Sequence, residues 1–217
     1  MRQLMTAEVA DAILDLPVGR FHRVAIDGVD GAGKNHFADE LAKELSGRGT
    51  PVVRASVDGF HNPARTRRRR GRNSPEGFYR DSYDYGRFIR LLLDPFGPEG
   101  SGNYVAQVYD WRREREVSRP PALAEPGTVL VVDGIFTHRD ELVRFWDFSV
   151  WLDVPFEVAM PRGAQRADGG LDKDPKADAN RRYVEGQRLY LAECNPRARA
   201  SMVIDNTDLT NPAIAIG

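Results

Sequence analysis

The chain has 217 residues, with 31 basic and 32 acidic side chains and a formal net charge of −1. That length suits one α/β domain with insertions, and the charge balance gives no global attraction to nucleic acid or an anionic membrane. No apolar run approaches the ~20 residues of a membrane span, and the single cysteine, Cys194, excludes an internal disulfide framework.

In chain order, residues 5–16 place Met5, Val9, Ile13 and Leu16 at helical spacing, and Pro17 and Gly19 end the pattern. Glu8, Asp11 and Asp15 interrupt this segment, so it reads as an amphipathic helix rather than a signal peptide; with the lone cysteine, this predicts a cytoplasmic protein. "RVAID" (23–27) is a short apolar run bounded by glycine and reads as a buried strand. Residues 33–46 are helical in spacing through Phe37, Leu41 and Leu45, with Gly47 and Gly49 as stop signals. Further strands are predicted at 51–58, 128–136, 147–154 and 200–206. Helical stretches between several of them imply a mainly parallel sheet. Residues 59–127 are long for one connection and are expected to hold substrate-recognition elements. Within them 83–93 reads as a helix, 104–111 alternates like a strand, and "REREV" reads as its hairpin partner.

Gly28, Gly33 and Lys34 satisfy G-x-x-x-x-G-K between a predicted strand and a predicted helix. Glycines let successive backbone N–H groups turn toward phosphate oxygens, the helix N-terminus adds a favourable dipole, and the lysine reaches the β and γ phosphates. Nucleotide binding is therefore expected from Gly28, Val29, Asp30, Gly31, Ala32, Gly33, Lys34, Asn35 and His36. The next position usually carries a Ser or Thr hydroxyl that ligates Mg²⁺. Here it is Asn35, whose carbonyl sits one bond further out, and Mg²⁺ tolerates poor octahedral geometry badly.

With that loop in place, "SVDGFHNP", "GRNSPEGFYRDSYDY", "LLDPFGP", "VYDWR", "VVDGIF", "WLDVPFEVA", "RRYVEGQRLYLAE" and "VIDNTD" resemble the uridine kinase-like family. That group of P-loop kinases also includes phosphoribulokinase and bacterial pantothenate kinase. The resemblance covers roughly residues 20–210. It implies one P-loop kinase domain over 1–217: a three-layer α/β sandwich with a mainly parallel five-stranded sheet, a substrate insertion near 59–127 and a lid near 160–182. It implies ATP and Mg²⁺ as cofactors and a small-molecule alcohol as partner, the 5′-hydroxyl of uridine or cytidine foremost.

Residue by residue, the resemblance makes Asp58 the base that orients the acceptor hydroxyl and Asp133 the Walker B acid beside the metal, with Asn35. It places Asp84 on ribose hydroxyls, with a helix cap as the local alternative, and Tyr109 and Asp110 at a nucleoside base. His61 and Arg182 join the substrate site. Arg162 and Arg166 become the lid arginines that stabilise phosphate charge, and Asn206 borders the adenine. Where the family has a histidine after the "YD" pair, this chain has Arg112, Arg113 and Arg115, which suits a more anionic acceptor. Asn35 and Pro161 favour a further alternative, a catalytically impaired nucleotide binder. The run "RTRRRRGR" (65–72) reads as a solvated loop or as a feature that draws in an anionic acceptor; with no net positive charge and no accompanying motif, nucleic acid is disfavoured. Single histidines without ligand-spaced partners do not suggest a histidine metal site. Membrane association is not expected, and a homo-oligomer stays open.

Overall fold

The computed structural model describes residues 2–17, 19–165 and 171–216. Its centre is β1, Phe21–Gly28, buried along nearly its whole length because Phe21, Val24, Ala25 and Ile26 leave almost no polar surface. A strand apolar on both faces needs cover from both sides, as in parallel α/β sheets. Around it stand β2 (Val52–Ser56), β3 (Thr128–Asp133), β4 (Phe148–Asp153), β5 (Met202–Asp205) and β6 (Ala213–Ile216). The order is β6-β5-β4-β1-β3-β2. The first five are parallel, with Val24 opposite Val131 and Phe148, while β6 runs antiparallel to β5. The sheet thus has six strands where the sequence predicted five. The added edge strand is four residues long and mostly exposed, so it carries little of the apolar signal that marks a buried strand.

Helix α1 (Arg2–Leu14) turns Met5, Val9, Ala10 and Ile13 inward, and α2 (Lys34–Gly47) does the same with Phe37, Ala38, Leu41 and Leu45. α3 (Pro75–Asp81) begins at Ser74, whose Oγ accepts from Gly77 N at 3.0 Å. α4 (Phe156–Ala164) runs through Pro161 without ending there. α5 (Asp178–Cys194) closes the set and passes close to α3: a Cβ on Gly186 would lie 2.7 Å from the Pro75 carbonyl oxygen. The predicted lid spans the end of α4 and the start of α5.

The insertion differs most from its reading. The helix predicted over 83–93 is present from Tyr85 to Leu93, but as one α-turn (Tyr85–Phe88) running into a π-turn (Ile89–Leu93); a 3₁₀ turn at Asp94–Phe96 follows, where Pro95 has no N–H to continue a ladder. The strand predicted over 104–111 survives only at its ends. Asn103–Tyr104 pairs with Ala122–Leu123, and Tyr109–Asp110 pairs with Arg115–Glu116, the expected hairpin. Between them the donors go elsewhere, Val105 N to Leu91 O and Val108 N to Gly59 O, both at 2.9 Å. No described helix is long and apolar enough to cross a membrane.

Candidate active site

The loop between β1 and α2 is held by backbone proximity. Gly31 has φ 81°, and a Cβ there would lie 1.9 Å from the Ala159 carbonyl oxygen, so α4 rests directly on the loop. Gly33 has φ 95°, with Asn206 Nδ2 3.0 Å from where its Cβ would be. That same amide donates to Ala32 O at 2.7 Å, so Asn206 clamps the loop itself. Lys34 is buried and donates from Nζ to Gly28 O and Val29 O, both at 2.9 Å, curling over the turn that would hold phosphate. Asp30 N donates to Gln187 Oε1 of α5 at 2.6 Å. Asn35 and His36 are exposed at the start of α2.

Beneath the loop lies a polar cluster that sequence reasoning did not identify. Asp27, fully buried at the end of β1, accepts from Gly28 N (2.7 Å) and Thr137 N (2.9 Å), from the Tyr190 hydroxyl (2.5 Å), and pairs with His138 Nδ1 at 2.9 Å. The other His138 ring nitrogen meets Ser149 Oγ at 3.0 Å. Burial alone would push the Asp27 carboxyl up, but the hydrogen bond and charge of His138, with the bonds from Tyr190 and Gly28, hold it below its usual value. The only signal in the sequence is an acid closing an otherwise apolar strand.

β2 and β3 deliver the next group. Asp133 closes β3 as expected, and burial raises its carboxyl above the usual range, opposed by Arg54 and Lys34. Its Oδ1 lies 2.8 Å from Arg54 Nη2 yet has no partner in hydrogen-bond geometry among the described residues. Arg54, in mid-β2, also pairs with Asp39 of α2 at 2.9 Å. The sequence reading did not single out Arg54; its one mark there is a charge inside the apolar strand "VVRAS". Asp58 lies past the strand end, in a 3₁₀ turn over Val57–Phe60, rather than closing the strand itself. Its Oδ1 accepts from the Tyr83 hydroxyl at 2.9 Å, and the side chain remains 55% exposed. His61 packs against Tyr83 with ring centroids 4.5 Å apart. Burial lowers the pKa of its imidazole, against the pull of Asp58.

One cavity of about 390 Å³ brings together Lys34, Asn35, His36, Asp58 and Asp133. A divalent cation fits this donor set: a buried carboxylate oxygen without a hydrogen bond, a second carboxylate and an amide carbonyl face the same space. No group of three His, Cys, Asp or Glu residues able to hold a metal by themselves occurs among the described residues.

A second cavity of about 520 Å³ runs from Asp58 and His61 to Arg68, Arg72 and Arg182. Asp84, Tyr109 and Asp110 do not line it. Asp84 Oδ1 caps the turn at Tyr85–Phe88, accepting from Arg87 N at 2.9 Å. The Tyr109 hydroxyl donates to Glu114 at 2.9 Å, and Asp110 accepts from Arg112 N, Arg113 N and Arg113 Nη1. Arg162 donates to the carbonyls of Asn206 (2.9 Å) and Thr207, which ties α4 to the segment after β5. Arg166 lies outside the described residues. The arginine run is sorted by its partners: Arg67 pairs with Glu114, and Arg69 and Arg70 both pair with the buried Asp81.

Residues 24–169 match the model of the phosphoribulokinase/uridine kinase family. A uridine kinase of Leuconostoc citreum is 22% identical over 174 residues, covering 80% of this chain and 77% of that protein. A phosphoribulokinase of Synechocystis sp. is 25% identical over 177 residues, covering 77% of this chain and 51% of that protein, so the chain spans about half of it. Among solved structures, one described as a possible uridine kinase from Bacillus stearothermophilus superposes with a TM-score of 0.74 at 21% identity, over 94% of this chain and 99% of that one. At that identity the superposition shows the fold: a P-loop kinase sandwich.

Proposed function

The chain belongs to the phosphoribulokinase/uridine kinase family, and on that premise we propose that it transfers the γ-phosphate of ATP to a hydroxyl of a small-molecule acceptor. The observation that carries this reading is the single cavity shared by Lys34, Asp58 and Asp133. Loop amides and Lys34 hold the phosphates once the lysine leaves the carbonyls of Gly28 and Val29. Tyr83 fixes one Asp58 oxygen and leaves the other for the acceptor hydroxyl, to orient it and accept its proton. The acceptor oxygen then bonds to the γ-phosphorus as the bond to the β–γ bridging oxygen breaks, giving ADP and a phosphoester. Asp133 and the Asn35 carbonyl would hold Mg²⁺, which supplies neutralisation of phosphate charge when bound. Arg54 keeps Asp133 turned toward that place.

Uridine or cytidine, the acceptors implied by the resemblance, would rely on Asp84, Tyr109 and Asp110. All three are engaged within the protein, which favours looking beyond nucleosides. The test is ATP consumption with Mg²⁺ across uridine, cytidine, pantothenate and sugar phosphates, for the natural protein, Asn35→Thr and Asp58→Asn. Turnover is expected in the natural protein, with a loss of about 10²–10⁴-fold in Asp58→Asn. Activity in Asn35→Thr alone would place a defect at the metal ligand. ATP binding without turnover in either would support the impaired-binder reading.

A further inference from the structure

Arg54 is a cation at the place where a kinase site is expected to hold a metal ion. It stands in the middle of β2, and its side chain is only 23% exposed. The guanidinium is fixed from several sides. Nε donates to Asp39 Oδ1 at 2.9 Å, and Nη1 donates to Ala55 O at 2.6 Å. Nη2 lies 2.8 Å from Asp133 Oδ1 and donates to Asn35 O at 3.4 Å. One cationic nitrogen therefore touches both residues that would hold Mg²⁺, Asp133 at its carboxylate and Asn35 at its main chain.

Arg54 reaches them from beside the nucleotide cavity rather than from within it. It lines a third cavity, of about 390 Å³, which shares Asn35, Asp58 and Asp133 with the cavity that contains Lys34. Nucleotide held by Lys34 does not need the place Arg54 occupies, so the guanidinium can keep its anchors while phosphate binds.

The electrostatic consequence follows from distance. A divalent cation on Asp133 would stand within about 5 Å of Nη2, and like charges that close repel strongly where water is partly excluded. In the free protein Arg54 already offsets the Asp133 charge, so a cation gains little there. The added negative charge of a bound polyphosphate tips that balance toward the cation.

We propose that Arg54 sets the metal affinity of the site: its fixed guanidinium holds Asp133 in the free protein and makes divalent-cation binding depend on bound nucleotide. The proposal rests on the phosphotransfer reading above. It assigns weak metal binding in the free protein to the charge of Arg54 rather than to the missing hydroxyl at Asn35.

The probe is Mn²⁺, which takes the same oxygen ligands as Mg²⁺ and is followed by electron paramagnetic resonance. ADP binding is measured first by calorimetry. Its absence would overturn the kinase reading, while the Arg54 arms without nucleotide would still decide the proposal. Natural protein is expected to bind Mn²⁺ at least about tenfold more weakly alone than with ADP. Arg54→Gln, which keeps donors for nearby carbonyls, is expected to tighten Mn²⁺ binding to the free protein by about tenfold. Arg54→Lys, which keeps the charge, and Asn35→Thr are each expected to stay within about threefold of the natural protein. In urea unfolding without nucleotide, Mn²⁺ should stabilise Arg54→Gln more than the natural protein.

Mn²⁺ binding to the natural protein as tight without ADP as with it would overturn the proposal, whether or not any variant folds. Unchanged or weaker binding in Arg54→Gln would also overturn it and leave Arg54 only the orientation of Asp133. An equal gain in Arg54→Lys would exclude charge as the cause. A tenfold gain in Asn35→Thr would assign the weakness to the missing hydroxyl instead.

Discussion

Around the phosphate loop, the contacts that fix geometry are backbone against backbone and buried polar bonds. Gly31 lies against the Ala159 carbonyl, Asn206 clamps Ala32, and Asp27 collects donors beneath. Around the cavity beside Asp58 the frame is made of side-chain ion pairs: Arg67 with the partly exposed Glu114, and the exposed Arg69 and Arg70 with the buried Asp81. The difference follows from what each side must do. Triphosphate geometry is the same for every kinase of this kind, so a rigid main-chain cradle serves it. An acceptor site must suit one substrate, and side-chain pairs on irregular turns can be exchanged without disturbing the sheet.

That contrast implies a ranking of mutational effects. Gly31→Ala should be the largest, because both the left-handed φ and the Ala159 carbonyl exclude a side chain. A loss of about 3 kcal/mol or more in urea unfolding is expected, together with lost ATP binding. A change under 1 kcal/mol would mean that α4 gives way easily and the cradle is not rigid.

Next comes Asp27→Asn, expected to cost about 2–3 kcal/mol at neutral pH through broken buried bonds. The sign of its pH dependence follows from its depressed folded pKa. The carboxylate contributes stability above its unfolded value near 3.8, and that contribution is lost as pH falls through the lower folded value. In the variant, the acid limb of stability below about pH 4 should therefore flatten. An unchanged acid limb would show that Asp27 is not the group responsible.

Asp81→Asn should cost less, about 1–2 kcal/mol, because its arginine partners are 40–59% exposed and solvent screens what they lose. Nucleotide binding should be unaffected, and an ATP affinity altered severalfold would break the separation between the two halves. The smallest effect is expected from Glu114→Gln, at or below about 1 kcal/mol in low salt and nearly absent at 1 M salt. A salt-independent loss would instead assign Glu114's role to its neutral bonds with Ala64 N and Tyr109.

The glycine-rich loop between β1 and α2, the five parallel strands and the short hairpin at 109–116 are legible in the sequence alone. Each depends on neighbours within a few residues: glycines that permit positive φ, apolar runs with a fixed period, and a turn flanked by pairing segments. The choice of partners, by contrast, comes from packing between distant segments. Asp27 meets His138 and Tyr190 from 111 and 163 residues away, and Arg54 meets Asp133 across two strands. Asp84 caps a turn, and in the arginine run Arg69 and Arg70 pair with Asp81, Arg68 and Arg72 face the cavity, and Arg67 does both, pairing with Glu114 while lining it. A charged side chain carries no local code for its partner. Its role is set by whichever opposite charge, buried donor or open cavity the packed sheet and helices bring within reach.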